Sequence, residues 1–151
     1  MKKHLFILVL MAAALVSCAN EPRGNFDYDV FNHERQLWME QDIKNYFYDY
    51  SENSSAGSMG AIMYIQDGVL AYVQFNDDIV EGTDFPQYFF YGNTISDIYA
   101  KIEIMANSAY DTIGILYDSE WHYPMYFSIY RAGGYFDIIH IYKFNVGAEV
   151  F

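Results

Sequence analysis

Three histidines lie beyond the N-terminal segment, His33, His122 and His140, far apart in the sequence. No His-x-x-x-His pair, cysteine cluster or glutamate in metal-ligand register accompanies them, so the residues present no metal-site pattern and no cofactor is expected. A Gly-x-Ser-x-Gly elbow and a glycine-rich phosphate loop before a helix are also missing. Carboxylates are plentiful. Asp77, Asp78, Glu81 and Asp84 cluster in sequence, but without the 1, 3, 5 and 12 spacing of an EF-hand. A solvated acidic loop is the default reading there, with a weak calcium site as the alternative. Acid/base pairs of the glycosidase kind need two carboxyls at a set separation in space, which spacing along the chain does not fix. Aromatic clusters are the stronger lead. Phe85-Pro86-Gln87-Tyr88-Phe89-Phe90-Tyr91 puts five aromatics into a connection, and Trp121-His122-Tyr123 does likewise in a turn. Exposed together, Phe85, Tyr88, Phe89, Tyr91, Trp121, His122 and Tyr123 would form a surface for a protein, peptide or glycan. The competing expectation is that the long loop folds back over the sheet.

The N-terminal segment carries a different kind of chemistry. Lys2 and Lys3 precede an apolar run from Leu5 to Val16. A membrane-spanning helix needs about 20 apolar residues, so this run suits the apolar region of a signal peptide. It ends in Leu15-Val16-Ser17-Cys18, which resembles the lipobox of bacterial lipoproteins. The resemblance implies a thioether-linked diacylglycerol on Cys18, cleavage after Ser17 and acylation of the new amino terminus. Cys18 is the single cysteine and has no intramolecular disulfide partner, which an ordinary exported protein would leave unexplained. Each methylene buried in a bilayer contributes about 0.8 kcal/mol, so several acyl chains hold durably. The expected organisation is a signal peptide over 1–17, a lipidated tether over 18–30 and one domain over 31–151. The expected location is the cell envelope, periplasmic or surface-facing, on the outer membrane where the organism has one.

Cleavage leaves 134 residues, with six basic against twenty acidic side chains and a net charge of −14. Such a domain repels nucleic acid and anionic headgroups, and Arg23, Arg35, Lys44, Lys101, Arg131 and Lys143 are scattered rather than gathered into a patch. Aromatics make up 20% of the chain, with sixteen tyrosines, well above what disordered segments carry. Most of those tyrosines are expected in strands with wet hydroxyls.

These residues need elements to position them. Cys18 to about Asp29 lacks periodicity and would reach on the order of 35 Å as an extended tether. Phe31, Leu37 and Trp38 supply a sparse stripe for a helix over Asn32 to about Asp42, with Asn32 as N-cap. Tyr46, Tyr48 and Tyr50 alternate and predict a strand, and Ser51 to Ser58 reads as a loop. Runs 62–65 and 69–73 flank Asp67-Gly68, a type I′ hairpin signal that pairs Ile65 with Leu70, Met63 with Tyr72, Tyr64 with Ala71 and Ile62 with Val73. Both faces of this hairpin are apolar, which predicts a central place in a covered sheet. Asp77 to Asn93 reads as a long connection. Thr94-Ile-Ser-Asp97 is a capping-box variant, and Ile95, Ile98, Tyr99, Ile102, Met105 and Ala106 share the face of the helix behind it. Strands are predicted at Thr112–Tyr117, Tyr123–Arg131 and Tyr135–Phe144, the last two joined at Gly133-Gly134. That turn would set Met125, Phe127 and Ile129 on one core face with Ile138, His140 and Tyr142, and turn Tyr126, Ser128, Tyr130 and Asp137 the other way. The expected fold is α+β, with two helices on a mostly antiparallel sheet of about six strands. Its order is helix–three strands–helix–three strands, with a possible internal repeat.

Arg35-x-x-Trp38 followed by Ile43-x-Asn45-Tyr46-x-Tyr48 resembles the opening of an uncharacterised domain family of small bacterial lipoproteins. The likeness continues through the helix start at Thr94–Ile98, Tyr117-Asp118 and Tyr123-Pro124, and covers most of residues 31–145. Where the family often has glycine this chain has His122, which implies a changed turn geometry. The resemblance implies fold and location and no mechanism. Two function classes follow from the residues: a non-enzymatic binding module on the envelope, or a small envelope hydrolase using acidic residues. A shallow aromatic patch would favour the first, and two facing carboxylates in a cleft, one with a raised pKa, the second.

Overall fold

The protein is described as a computed structural model covering residues 26–82, 92–108, 112–131 and 133–147. The expected signal peptide, Cys18 and the aromatic segment 85–91 lie outside the described residues. Helix α1 spans Tyr28–Glu40 and begins four residues before the expected start. Asp27, not Asn32, is its N-cap, and the Asp27 carboxylate accepts from the Asp29 and Val30 amides at 3.1 and 3.0 Å. A sparse stripe of apolar residues locates a helix without fixing its first turn; the carboxylate beside the free amides does that. Residues 28–30, expected in the tether, are therefore helical.

Strands β1 (Tyr46–Ser54) and β2 (Gly57–Gln66) form a hairpin through Ser55 and Ala56, so 51–58 is sheet and turn rather than a loop. The polar letters there occupy a strand that alternates as regularly as its aromatic beginning. Strand β3 (Val69–Phe75) follows Asp67-Gly68, both at positive φ (52° and 80°), as a type I′ turn requires. Ile65 pairs with Leu70 as expected, but a bulge then shifts the ladder so that Tyr64 faces Tyr72 and Met63 faces Val73. A fourth strand, β4 (Asp78–Glu81), occupies part of the expected connection. The capping box holds: the Thr94 hydroxyl accepts from the Asp97 amide at 3.1 Å and the Asp97 carboxylate accepts from the Thr94 amide at 3.0 Å. Helix α2 (Ile95–Ala106) buries the six residues expected on its inner face.

Strands β5 (Thr112–Tyr117), β6 (Pro124–Arg131) and β7 (Tyr135–Val146) complete an antiparallel sheet of seven strands in the order β4-β3-β2-β1-β7-β6-β5. The order along the chain is thus helix–four strands–helix–three strands. The central strand is β1, flanked by β2 and β7, and both strands of the β2–β3 hairpin are interior, as expected, on one side of it. The first half runs from the middle of the sheet to one edge, and the second runs from the other edge inward. A direct repeat would put β5 beside β1, where β7 stands.

The β6–β7 register differs from expectation by one residue. Arg131 pairs with Tyr135, so three residues of the sequence, not two, separate the paired strands. One residue of slip turns every β7 side chain over. Ile139 and Ile141 enter the core with Phe127 and Ile129, while Ile138, His140 and Tyr142 face away. Asp137 joins the helix side, and Met125 is exposed.

Both helices cover the face bearing Tyr46, Tyr48 and Tyr50. Trp38 meets Tyr46 edge-on at 5.6 Å, and Phe31 meets Tyr99 likewise at 5.6 Å. The Tyr46 hydroxyl accepts from the Ile95 amide at 3.1 Å, and the Tyr48 hydroxyl donates to the Asn93 carbonyl at 3.1 Å. Each large apolar side chain buried in this layer contributes on the order of 2 kcal/mol. The tyrosine ladder thus positions the start of α2 by direction as well as by contact. No helix among the described residues is long and apolar enough to cross a membrane.

Candidate functional site

Three places in this fold gather chemistry. The first is the corner around Trp121-His122-Tyr123. The Asp118 carboxylate accepts from the Glu120 and Trp121 amides at 2.9 and 2.8 Å and closes the β5–β6 turn. From α1, Gln41 donates to the Trp121 carbonyl at 3.0 Å, and the Glu34 carboxylate lies 2.8 Å from Nδ1 of His122. From α2, the Tyr99 hydroxyl donates to the His122 carbonyl. Burial raises the Tyr99 pKa, so this hydroxyl stays a donor through the physiological range. His122 sits at φ 57°, the left-handed conformation that glycine favours, although it carries a side chain. The turn thus keeps a glycine-like backbone here, held from both helices. Tyr123 is 5% exposed and stacks on Phe144 with ring centroids 4.8 Å apart. Trp121 and His122 are half-buried. These three residues join the layers, and Tyr123 offers little to a partner. His33 is exposed on α1, and His140 on β7 meets Tyr126 edge-on at 4.9 Å.

The second place is the sheet face away from the helices. Strand alternation and register put Phe47, Asp49, Ile62, Tyr64, Tyr72, Gln74, Leu116, Tyr126, Tyr130 and Tyr142 there. Leu116 is 60% exposed, Tyr142 45% and Tyr130 44%. Phe47 and Tyr64 pack with centroids 5.7 Å apart, and the Tyr64 hydroxyl donates to Gln74 at 3.1 Å. Lys143, at φ 51° where the β1–β7 ladder is irregular, pairs with Asp49 at 2.7 Å and lies 5.9 Å from the Tyr142 ring centre. A shallow hollow of about 200 Å³ opens between Asp49, Ile62, Gln74, Asn76 and Tyr142, over the bare backbone of Gly60. This face mixes flat aromatic area with amide and carboxylate groups, a composition suited to recognition.

The third place is an acidic end of the helix-side face. Glu52 is 8% exposed, and its Oε2 accepts from the Tyr50 hydroxyl at 2.8 Å. Asp137 pairs with Ser54 across β1 and β7, diagonal to Glu52 on the same face. Burial raises the Glu52 pKa, the Tyr50 hydrogen bond lowers it and the charge of Asp137 raises it, the net being upward. Beside them a hollow of about 170 Å³ is lined by Ser55, Ile129, Arg131, Tyr135 and Asp137. Sequence reasoning passed over Glu52. The available signal was the period-two pattern of Tyr46, Tyr48 and Tyr50, which, extended by two residues, puts Glu52 on the buried face. Asp77, Asp78 and Glu81 are exposed on β4 and its turn, and among the described residues no three His, Cys, Asp or Glu side chains gather as metal ligands would.

No curated protein matches the chain. Residues 30–138, most of the chain and most of the sheet just described, match the family of unknown function DUF6174, and the chain belongs to that family.

Proposed function

We propose that this chain is a lipid-anchored, non-enzymatic binding module of the bacterial cell envelope, held at Cys18 and recognising its partner with the open face of the sheet. The anchor rests on the positive start, the short apolar run and the single cysteine at its end. The observation that carries the binding reading is that, among the described residues, both helices lie on the same face of the sheet. On the other face Leu116, Tyr130 and Tyr142 are exposed, and a shallow hollow opens beside Tyr142. Apolar side chains gathered and exposed on one face mark interaction sites. The anchor is tested by mass spectrometry of the N-terminal peptide and by Cys18→Ser, which should move the protein from the membrane to the soluble fraction. The face is tested with a photo-crosslinker at Tyr142 and, as a control, at the exposed His33 on α1. Adducts from Tyr142 alone support the face; equal yields at both positions sink it.

The acidic end of the helix-side face favours a second reading, a hydrolase of envelope polymers in which the buried Glu52, its pKa raised by burial, is the acid and Asp137, diagonal to it, its partner carboxyl. Loss of a measurable polysaccharide hydrolysis in Glu52→Gln, with the fold intact, would establish it.

A further inference from the structure

The two edges of the sheet are protected very differently. At one edge β4 is four residues long and carries Asp78 and Glu81, two devices that stop strands from adding. At the other edge β5 runs Thr-Ile-Gly-Ile-Leu-Tyr, six residues with no charge and no proline. Among the described residues its only ladder partner is β6, so alternate backbone N–H and C=O groups along it point outward. Leu116 is 60% exposed on the open-face side, and Ile113, Ile115 and Tyr117 are half-buried on the helix side. An apolar, uncharged edge of this length is a template for another strand.

The charge around the edge says what kind of strand. Asp118 follows β5 directly, and the carboxylates of Glu34 and Asp27 act on the Tyr117 hydroxyl at the same end. The whole chain carries −12, so two copies repel one another and a basic segment is drawn in.

We propose that β5 accepts an extended segment of a partner protein by strand addition, with apolar residues in alternation and lysine or arginine at the end that lies beside Tyr117. The backbone ladder supplies the affinity. The alternate side chains of the incoming strand cover Ile113 and Ile115 on the helix side, and its basic end beside Tyr117 meets Asp118, Glu34 and Asp27. This goes beyond recognition by the open face and stands without it, because an edge accepts a strand whatever the face binds.

The test uses the full chain in detergent and a synthetic peptide of alternating valine and threonine with two lysines at each end. Hydrogen–deuterium exchange of β5 should slow about tenfold once the peptide is at roughly ten times its Kd. A peptide with glutamates in place of the lysines should leave β5 unchanged. Leu116→Lys, at an exposed position, should abolish the slowing without moving the unfolding midpoint. Unchanged β5 exchange with the lysine peptide overturns the proposal, as does slowing confined to β4 or the open face. Slowing that follows protein concentration without peptide overturns it in favour of a second copy of this chain.

Discussion

His122 offers a sharp test of how the β5–β6 turn is built. Replace it by alanine in one variant and glycine in another. Both lose the ring and with it the 2.8 Å contact to Glu34, whose side chain is only 20% exposed. That loss costs on the order of 1 kcal/mol and is common to both. The difference between them is backbone alone. A residue with a Cβ at φ 57° carries about 1–2 kcal/mol of strain that glycine escapes. Alanine recovers about 0.4–1 kcal/mol through a less disordered unfolded chain. Glycine should therefore be the more stable of the two by about 1 kcal/mol, the reverse of the usual order in a loop. Urea unfolding of both variants, with equal m-values, reads this directly, and a melting difference of about 4 °C should accompany it. An alanine variant as stable as the glycine one would refute the idea that the left-handed backbone, and not the ring, governs this turn.

Tyr46→Phe should cost about 1–3 kcal/mol by calorimetry, because the Ile95 amide loses its buried acceptor. Thr94→Ala, which opens the capping box, should cost about 1 kcal/mol in denaturant unfolding. Gly92→Ala should destabilise more than a loop substitution usually does, since the residue sits at φ 106° and an added Cβ would meet the Cβ of Asp97 at 2.5 Å. Glu52→Gln gives a pH signature. A carboxyl whose folded pKa is raised destabilises the fold once ionised, above that pKa, and has no effect below its unfolded pKa. The variant should therefore exceed the parent in stability at neutral pH, and the advantage should vanish as pH falls through the ordinary carboxyl range. An advantage that persists at low pH would show that charge is not its source.

How much of this was legible depends on what each signal fixes. Helix α2 was readable to the residue, because a capping box sets its start and six apolar positions at helical spacing set its inner face. The Asp67-Gly68 turn was equally plain, since backbone at positive φ selects those residue types. Register was not readable: a β6–β7 connection one residue longer than the two glycines and a bulge at Ala71 rest on hydrogen-bond geometry rather than residue type, yet the first alone moves His140 and Tyr142 from core to open face. Strand order was hidden too, because pairing of β1 with β7 joins residues about ninety positions apart. For the site, the aromatic signal in Trp121-His122-Tyr123 was real, but most of that area is spent on joining layers. The open face was missed because its residues come from six strands and adjoin only after folding.

The position of β7 has a consequence in time. Of the described strands, the one that pairs with the central strand β1 on its second side is made last. Until residues 135–146 arrive, β1 waits with a bare edge and its three core tyrosines flanked on one side only. The first half cannot finish early and guide the second, since the final contact to form is also the longest in sequence. A chain whose C-terminus is delayed or trimmed would offer that unpaired edge to its neighbours. An edge that the finished sheet keeps at its centre, paired on both sides, is open while the chain is being made.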